Sequence, residues 1–102
     1  MSDITRTREA LVARILGNDA RASRQQRNAA FDNAGLEGPL VTLVDKVVRR
    51  ANTVTDQDVS AARAAGLSED QIFEVVVCAA VGEAVRQHER ALAALDAAER
   101  KA

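Results

Sequence analysis

Glu74, Cys78 and His88 are the residues of this 102-residue chain whose types could do chemistry, and all three fall in one stretch, "QIFEVVVCAAVGEAVRQH". Two readings follow from residue type alone: a thiol activated by an imidazole, or an acid–base pair of carboxylate and imidazole. The spacing argues against the first within one helix. Ten residues advance about 1000°, which leaves Cys78 and His88 about 80° apart around the axis and about 15 Å apart along it. A reactive thiolate also needs a positive charge or a helix N-terminus beside it, whereas Cys78 lies two to three turns inside a run of valines and alanines. It reads as a buried structural cysteine. His88 shares a side with Val81, Ala84, Leu92 and Leu95, so it reads as a hydrogen-bonded packing histidine, with proton transfer or ligand binding as the functional alternative. Glu74, flanked by Phe73 and Val75 to Val77, requires a partner if it is buried; Arg49, Arg50, Arg63 and Arg86 are the candidates, from this chain or another copy.

The elements that must position these residues read as helices. Hydrophobic residues make up 47% of the chain, but Phe31 and Phe73 are its only aromatics and alanine occurs 21 times, a composition suited to closely packed helices. Five glycines and one proline are too few for a many-turned β protein. A lone cysteine forms no intramolecular disulfide, and neither a signal peptide nor an apolar run of about 18 residues is evident, so the chain reads as soluble and cytoplasmic with no membrane partner. Residues 1 to 50 carry a net charge of +3 and residues 51 to 102 a net charge of −4, an asymmetry that helps halves or subunits dock.

Five helices are expected in a single domain. The first places Ile4, Leu11 and Ile15 on one side, interrupted by Arg8, and stops at Gly17-Asn18. The second, weakly apolar, runs from a cap at Asp19 to a stop at Asn33 to Gly35, with Arg21, Arg24 and Gln25 on its wet face, and residues 1 to 35 together read as an N-terminal arm. The third starts at Pro39 and carries Leu40, Leu43, Val44, Val47 and Val48 at the helical period. Thr55 with Asp58 opens a short fourth helix that ends at Gly66, and Ser68 with Gln71 opens a fifth that runs to about residue 98. From Ile72 to Gly82 only Glu74 is charged, so this helix is expected to be buried against several neighbours, some of them in another subunit.

Ala62, Gly66 and Ile72 fall at the small, glycine and β-branched positions of a helix-turn-helix. The second helix of that motif must approach two phosphate backbones, yet its leading turn here carries Glu69 and Asp70, with Glu74 following. Three carboxylates there are repelled, so no nucleic-acid partner is expected.

From about Leu40 to Leu95, the order helix, short helix, "AAGLSEDQIFEVV", then "AAVGEAVRQHERALAAL" resembles the carboxymuconolactone decarboxylase and alkylhydroperoxidase AhpD-like group. That resemblance implies an all-α, AhpD-like helical domain of about five helices with a long C-terminal helix, a family-like core over residues 39 to 98, and assembly into trimers or hexamers. Its thiol members carry a CxxC-x3-H pattern ahead of the matched segment. Aligned on Ala62 and Gly66, the pattern would place cysteines at Ala51 and Val54 and a histidine at Asp58, and none is present. Dithiol peroxide reduction needs two thiols within disulfide reach, which this chain lacks. The expectation is therefore a non-thiol member that assembles with itself or binds a small molecule, with no metal and no cofactor. The alternative is a cysteine-independent enzyme acting on a small lactone or carboxylated metabolite, with Glu74 and His88 as the acid–base groups.

Overall fold

A computed structural model describes residues 2–15 and 21–101, which form five α-helices and no strand. They are α1 (Ser2–Ile15), α2 (Arg24–Asp32), α3 (Pro39–Arg50), α4 (Asp56–Ala64) and α5 (Glu69–Lys101), with a single 3₁₀ turn at Ala51–Thr53 after α3. The all-α architecture and the long C-terminal helix are as the sequence predicts. The stop at Gly17-Asn18, the cap at Asp19 and the side chains of Ile4 and Ile15 lie outside the described residues.

Each helix boundary has a local cause. Pro39 occupies the first turn of α3, where its missing N–H and fixed φ are harmless. Thr55 and Asp58 exchange side-chain and backbone hydrogen bonds in a capping box that starts α4. Ser68 and Gln71 do the same for α5, at 2.8 and 3.1 Å. At the corner between α4 and α5, Gly66 adopts φ +103° while its amide and that of Leu67 return to the Arg63 and Ala62 carbonyls. This closes α4 with a left-handed turn that a β-carbon would strain. Ala62 and Ile72, on either side of that corner, are both buried, so the spacing that resembles a DNA-binding motif is satisfied by packing.

α2 differs from its expected form. It begins at Arg24 rather than near residue 19, because Ser23 is the cap: its hydroxyl accepts from the Gln26 amide at 3.0 Å. Its weakly apolar sequence nonetheless packs along α5, with Ala30 fully buried. The approach is close because α5 presents Gly82 to the Phe31 carbonyl, where a β-carbon would collide with that backbone.

The core lies between α3 and α5. Leu40, Leu43 and Val44 of α3 meet Ile72, Val75, Cys78 and Ala79 of α5, and Ala62 and Ala30 close the sides. At about 1.5 Å per residue, the 33 residues of α5 extend about 50 Å, close to the 54 Å long dimension of the molecule. Every other helix is laid against that rod.

Candidate functional site

Glu74 is half-buried on α5, and both of its carboxylate oxygens are engaged by backbone. Oε1 accepts from the Arg21 amide at 2.8 Å and Oε2 from the Ala22 amide at 2.6 Å. None of the four arginines nominated from sequence supplies its partner. Arg49 pairs with Asp45, Arg63 with Glu69, and Arg86 with Glu83, while Arg50 is exposed. The sequence signal for a partner was correct, but its identity was not legible, since any backbone amide can bind a carboxylate.

Cys78 follows Glu74 by one turn of α5 and is 1% exposed. Burial pushes its thiol up, the Arg27 cation partly offsets that, and the Glu74 charge adds to it. The thiol is therefore held protonated, the opposite of what nucleophilic or metal-binding chemistry needs. Arg27 is the residue sequence reasoning missed. It is 3% exposed, on α2, with Nε donating to the Ala22 carbonyl at 3.2 Å. The available signal was its spacing of three from Ala30, which puts it on the inner side of α2 while Arg21, Arg24 and Gln25 face out.

His88 stands near the middle of α5, half-buried in an apolar groove of about 180 Å³ formed with Arg8 and Leu11 of α1 and Val81, Ala84 and Val85 of α5. Its Nδ1 is 3.1 Å from Arg8 Nη1, and Glu89 lies 4.0 Å from the same nitrogen. A guanidinium only donates, so in this contact His88 Nδ1 is the acceptor. Glu74 and His88 are separated by fourteen residues of one helix, about 21 Å. The structure does not bring them together, and the two line no common pocket.

Three larger clefts are open, and Glu74, Cys78 and His88 line none of them. One, of about 670 Å³, is polar: Glu83 draws in Arg86, Arg90 and Gln87, and Arg49 faces it from α3. Burial pushes the Glu83 carboxyl up, but the hydrogen bonds from Arg90, Gln87 and Arg86 outweigh it and hold the group below the usual carboxylate range. Arg86 also donates from Nη1 to the Phe31 carbonyl at 2.7 Å, while its Nη2 faces Glu83 at 3.2 Å without hydrogen-bond alignment. Another, of about 520 Å³, runs between the start of α2 and residues 35–40, and a third, of about 590 Å³, lies at the corner between α4 and α5. Among the described residues, no three His, Cys, Asp or Glu side chains are grouped to hold a metal ion, and no helix is long and apolar enough to cross a membrane.

The surface of α5 away from the core is more unusual. Taking Phe73 as the zero of angle, Val77, Ala80, Ala84, Ala91, Leu95 and Ala98 all lie within about 40° of it. The core residues Val75, Gly82 and Ala79 lie at about 180° to 240°, on the far side. Between Phe73 and Ala98 no charged residue stands inside this stripe, although Gln87 does, and Glu69 lies at its N-terminal edge. Phe73 is 69% exposed and Leu95 55%, and Leu11 of α1, at the stripe's edge beside Ala84, is 49% exposed. Thus α5 has two opposed apolar faces, and the described residues cover one of them and only the Ala84 edge of the other.

Comparison with protein-family models, with curated proteins and with solved structures finds no match to this chain.

Proposed function

We propose that this protein is a self-associating helical module, an AhpD-like scaffold without the thiol chemistry of that group, whose role is assembly rather than catalysis. The observation that carries the reading is the second apolar face of α5. Soluble monomers rarely leave a long uncharged stripe of this kind open, and such stripes mark protein contacts. The sites support the same direction. Glu74 is occupied in holding backbone, Cys78 is protonated and sealed, and His88 sits in a groove smaller than the ~300 Å³ typical of ligand pockets. The AhpD-like part of the reading rests on the resemblance of residues 40 to 95 and is carried no further than the helical scaffold.

Sedimentation of the purified chain at micromolar concentration tests the proposal. A dimer or larger species is expected, with Phe73→Glu and Leu95→Glu converting it to monomer at unchanged helical content. A wild-type chain that sediments as a monomer removes the assembly reading. Turnover of a small lactone that is lost in both Glu74→Gln and His88→Ala, with folding intact, would replace it with the enzymatic alternative.

A further inference from the structure

We infer that Arg8 and His88 form an acid-sensitive latch, which holds the N-terminal helix α1 against α5 while the imidazole is neutral and frees it when the ring is protonated. This device stands apart from the self-association proposed above. Leu11 of α1 lies over Val81, Ala84 and Val85 of α5 but remains 49% exposed, so it gains only part of the stabilisation that a buried leucine would. One turn earlier, Arg8 donates from Nη1 to His88 Nδ1 at 3.1 Å. Among the described residues, none of the buried core belongs to α1, so this helix can leave while the core stays closed.

The chemistry of the ring gives the latch its sign. A neutral imidazole offers one nitrogen as an acceptor, and an imidazolium offers none. A proton on Nδ1 therefore removes the hydrogen bond and sets a second cation against the guanidinium in a partly buried contact. The guanidinium cannot give up its own proton, so the two groups are relieved only by parting. The docked form thus binds one proton fewer than the released form. Docking is kept at high pH and weakens as pH falls through the range in which an imidazole charges, about pH 8 to 5.

The other described charges do not reverse that sign. On α1, Arg6 and Glu9 flank Arg8 and are exposed. On α5, Glu89 lies 4.0 Å from Arg8 Nη1 and about 100° around the helix from His88, so it steadies the guanidinium rather than meeting the ring. Glu83 binds Arg86 and Arg90 at about 140° to 160° from His88, in the polar cleft that Asp32 of α2 and Arg49 of α3 also line. Asp96, two turns further on, is paired with Arg100. Release of α1 uncovers Val81, Ala84 and Val85, which widens the open apolar face of α5.

His88 is the only histidine in the chain, so its ring protons report its charge without overlap in an NMR titration. Amide exchange on the same samples from about pH 7.5 to about 5, read as protection factors corrected for the intrinsic pH dependence of exchange, follows α1. The expected result is α1 protection that falls together with the His88 titration, by up to about tenfold per pH unit, the limit set by one proton, while α3 and α4 keep theirs. His88→Gln, whose side-chain carbonyl accepts from Arg8 at any pH, should hold α1 protection constant, and Arg8→Met should abolish the pH dependence by removing the cation. Protection of α1 that is unchanged through the titration overturns the latch, as does an equal fall in either variant. An α1 already unprotected at the neutral end overturns it too, since nothing is then held. A rise in α1 protection as the ring charges overturns it in favour of Glu89 as the partner of the imidazolium.

Discussion

Glu74 and Arg86 stand twelve residues apart on α5 and hold the two ends of α2. The carboxylate takes the amides of Arg21 and Ala22 just before the Ser23 cap, and the guanidinium donates to the Phe31 carbonyl in the last turn. A negative charge at the start of a helix and a positive charge at its end both complement the helix dipole, and the guanidinium also satisfies a last-turn carbonyl that a helix leaves unpaired. α2 has only nine residues and little apolar surface, so isolated it would be marginal. The charge that looks most like a catalytic acid in the sequence is in the structure a docking group for this helix.

Removing that group gives the first prediction. Glu74→Ala leaves the buried Ala22 amide without its charged acceptor, a loss of about 2 kcal/mol. Glu74→Gln keeps one acceptor oxygen and should lose about half as much. Urea unfolding followed by circular dichroism measures both, and amide exchange should show the loss concentrated in α2. Stability unchanged within about 0.5 kcal/mol in Glu74→Ala would remove the docking role.

Gly82→Ala separates helix propensity from packing. Alanine in a helix interior is favoured over glycine by about 1 kcal/mol, so propensity alone predicts a stabilised protein. The added β-carbon, however, runs into the Phe31 carbonyl, which is backbone and is also held by Arg86. Overpacking of this kind costs about 1–3 kcal/mol, and the expected net outcome is a lower thermal midpoint. A raised midpoint would show that α2 does not cross α5 at this glycine.

The fold was legible in the sequence to the extent that it is local. The cap pairs Thr55–Asp58 and Ser68–Gln71, Pro39 and Gly66 each specify a boundary by their own chemistry, and the period of Leu40, Leu43 and Val44 specifies the core side of α3. The start of α2 is set locally by the Ser23–Gln26 cap, but its packing is not legible in the sequence because what holds it in place is distant. Its ends are bound by Glu74 and Arg86, more than fifty positions away, and its crossing depends on a glycine in another helix. The candidate site was legible only as residue types. Glu74 was correctly marked as needing a partner, yet no pattern distinguishes a carboxylate that binds backbone amides from one that meets an arginine.

Acid should unfold this protein through a few identifiable carboxylates. The hydrogen bond from Lys46, 2.8 Å away, holds Asp58 below the usual range, with the Thr55 amide adding to it; Asp45 is lowered by its hydrogen bond from Arg49. A carboxyl whose folded pKa is depressed contributes stability above its unfolded value of about 4 and loses it as pH falls through the folded value. Stability is therefore expected to hold from pH 7 to about 5 and to decline below about 4. Asp58→Asn should flatten part of that decline while lowering stability at pH 7. An acid limb of the same slope in both proteins would assign the effect to other groups.

Cys78 provides the last prediction, because its environment fixes its reactivity. The thiol is sealed at the meeting of α2 and α5, and burial, reinforced by the Glu74 charge, keeps it protonated against the opposing pull of Arg27. Alkylation requires the thiolate and access to it, so labelling by a small maleimide at pH 8 must wait for the helices to part. The native chain should label at least ~100-fold more slowly than the chain in urea, with a rate that tracks stability. Glu74→Ala acts on this rate in two ways: it removes a charge that raises the thiol pKa, and it loosens α2. Both speed labelling, but only the loosening also speeds amide exchange in α2, so the two measurements together divide the effect. Fast labelling of the native wild-type chain would instead mean that Cys78 is reachable, and would reopen a redox role for it.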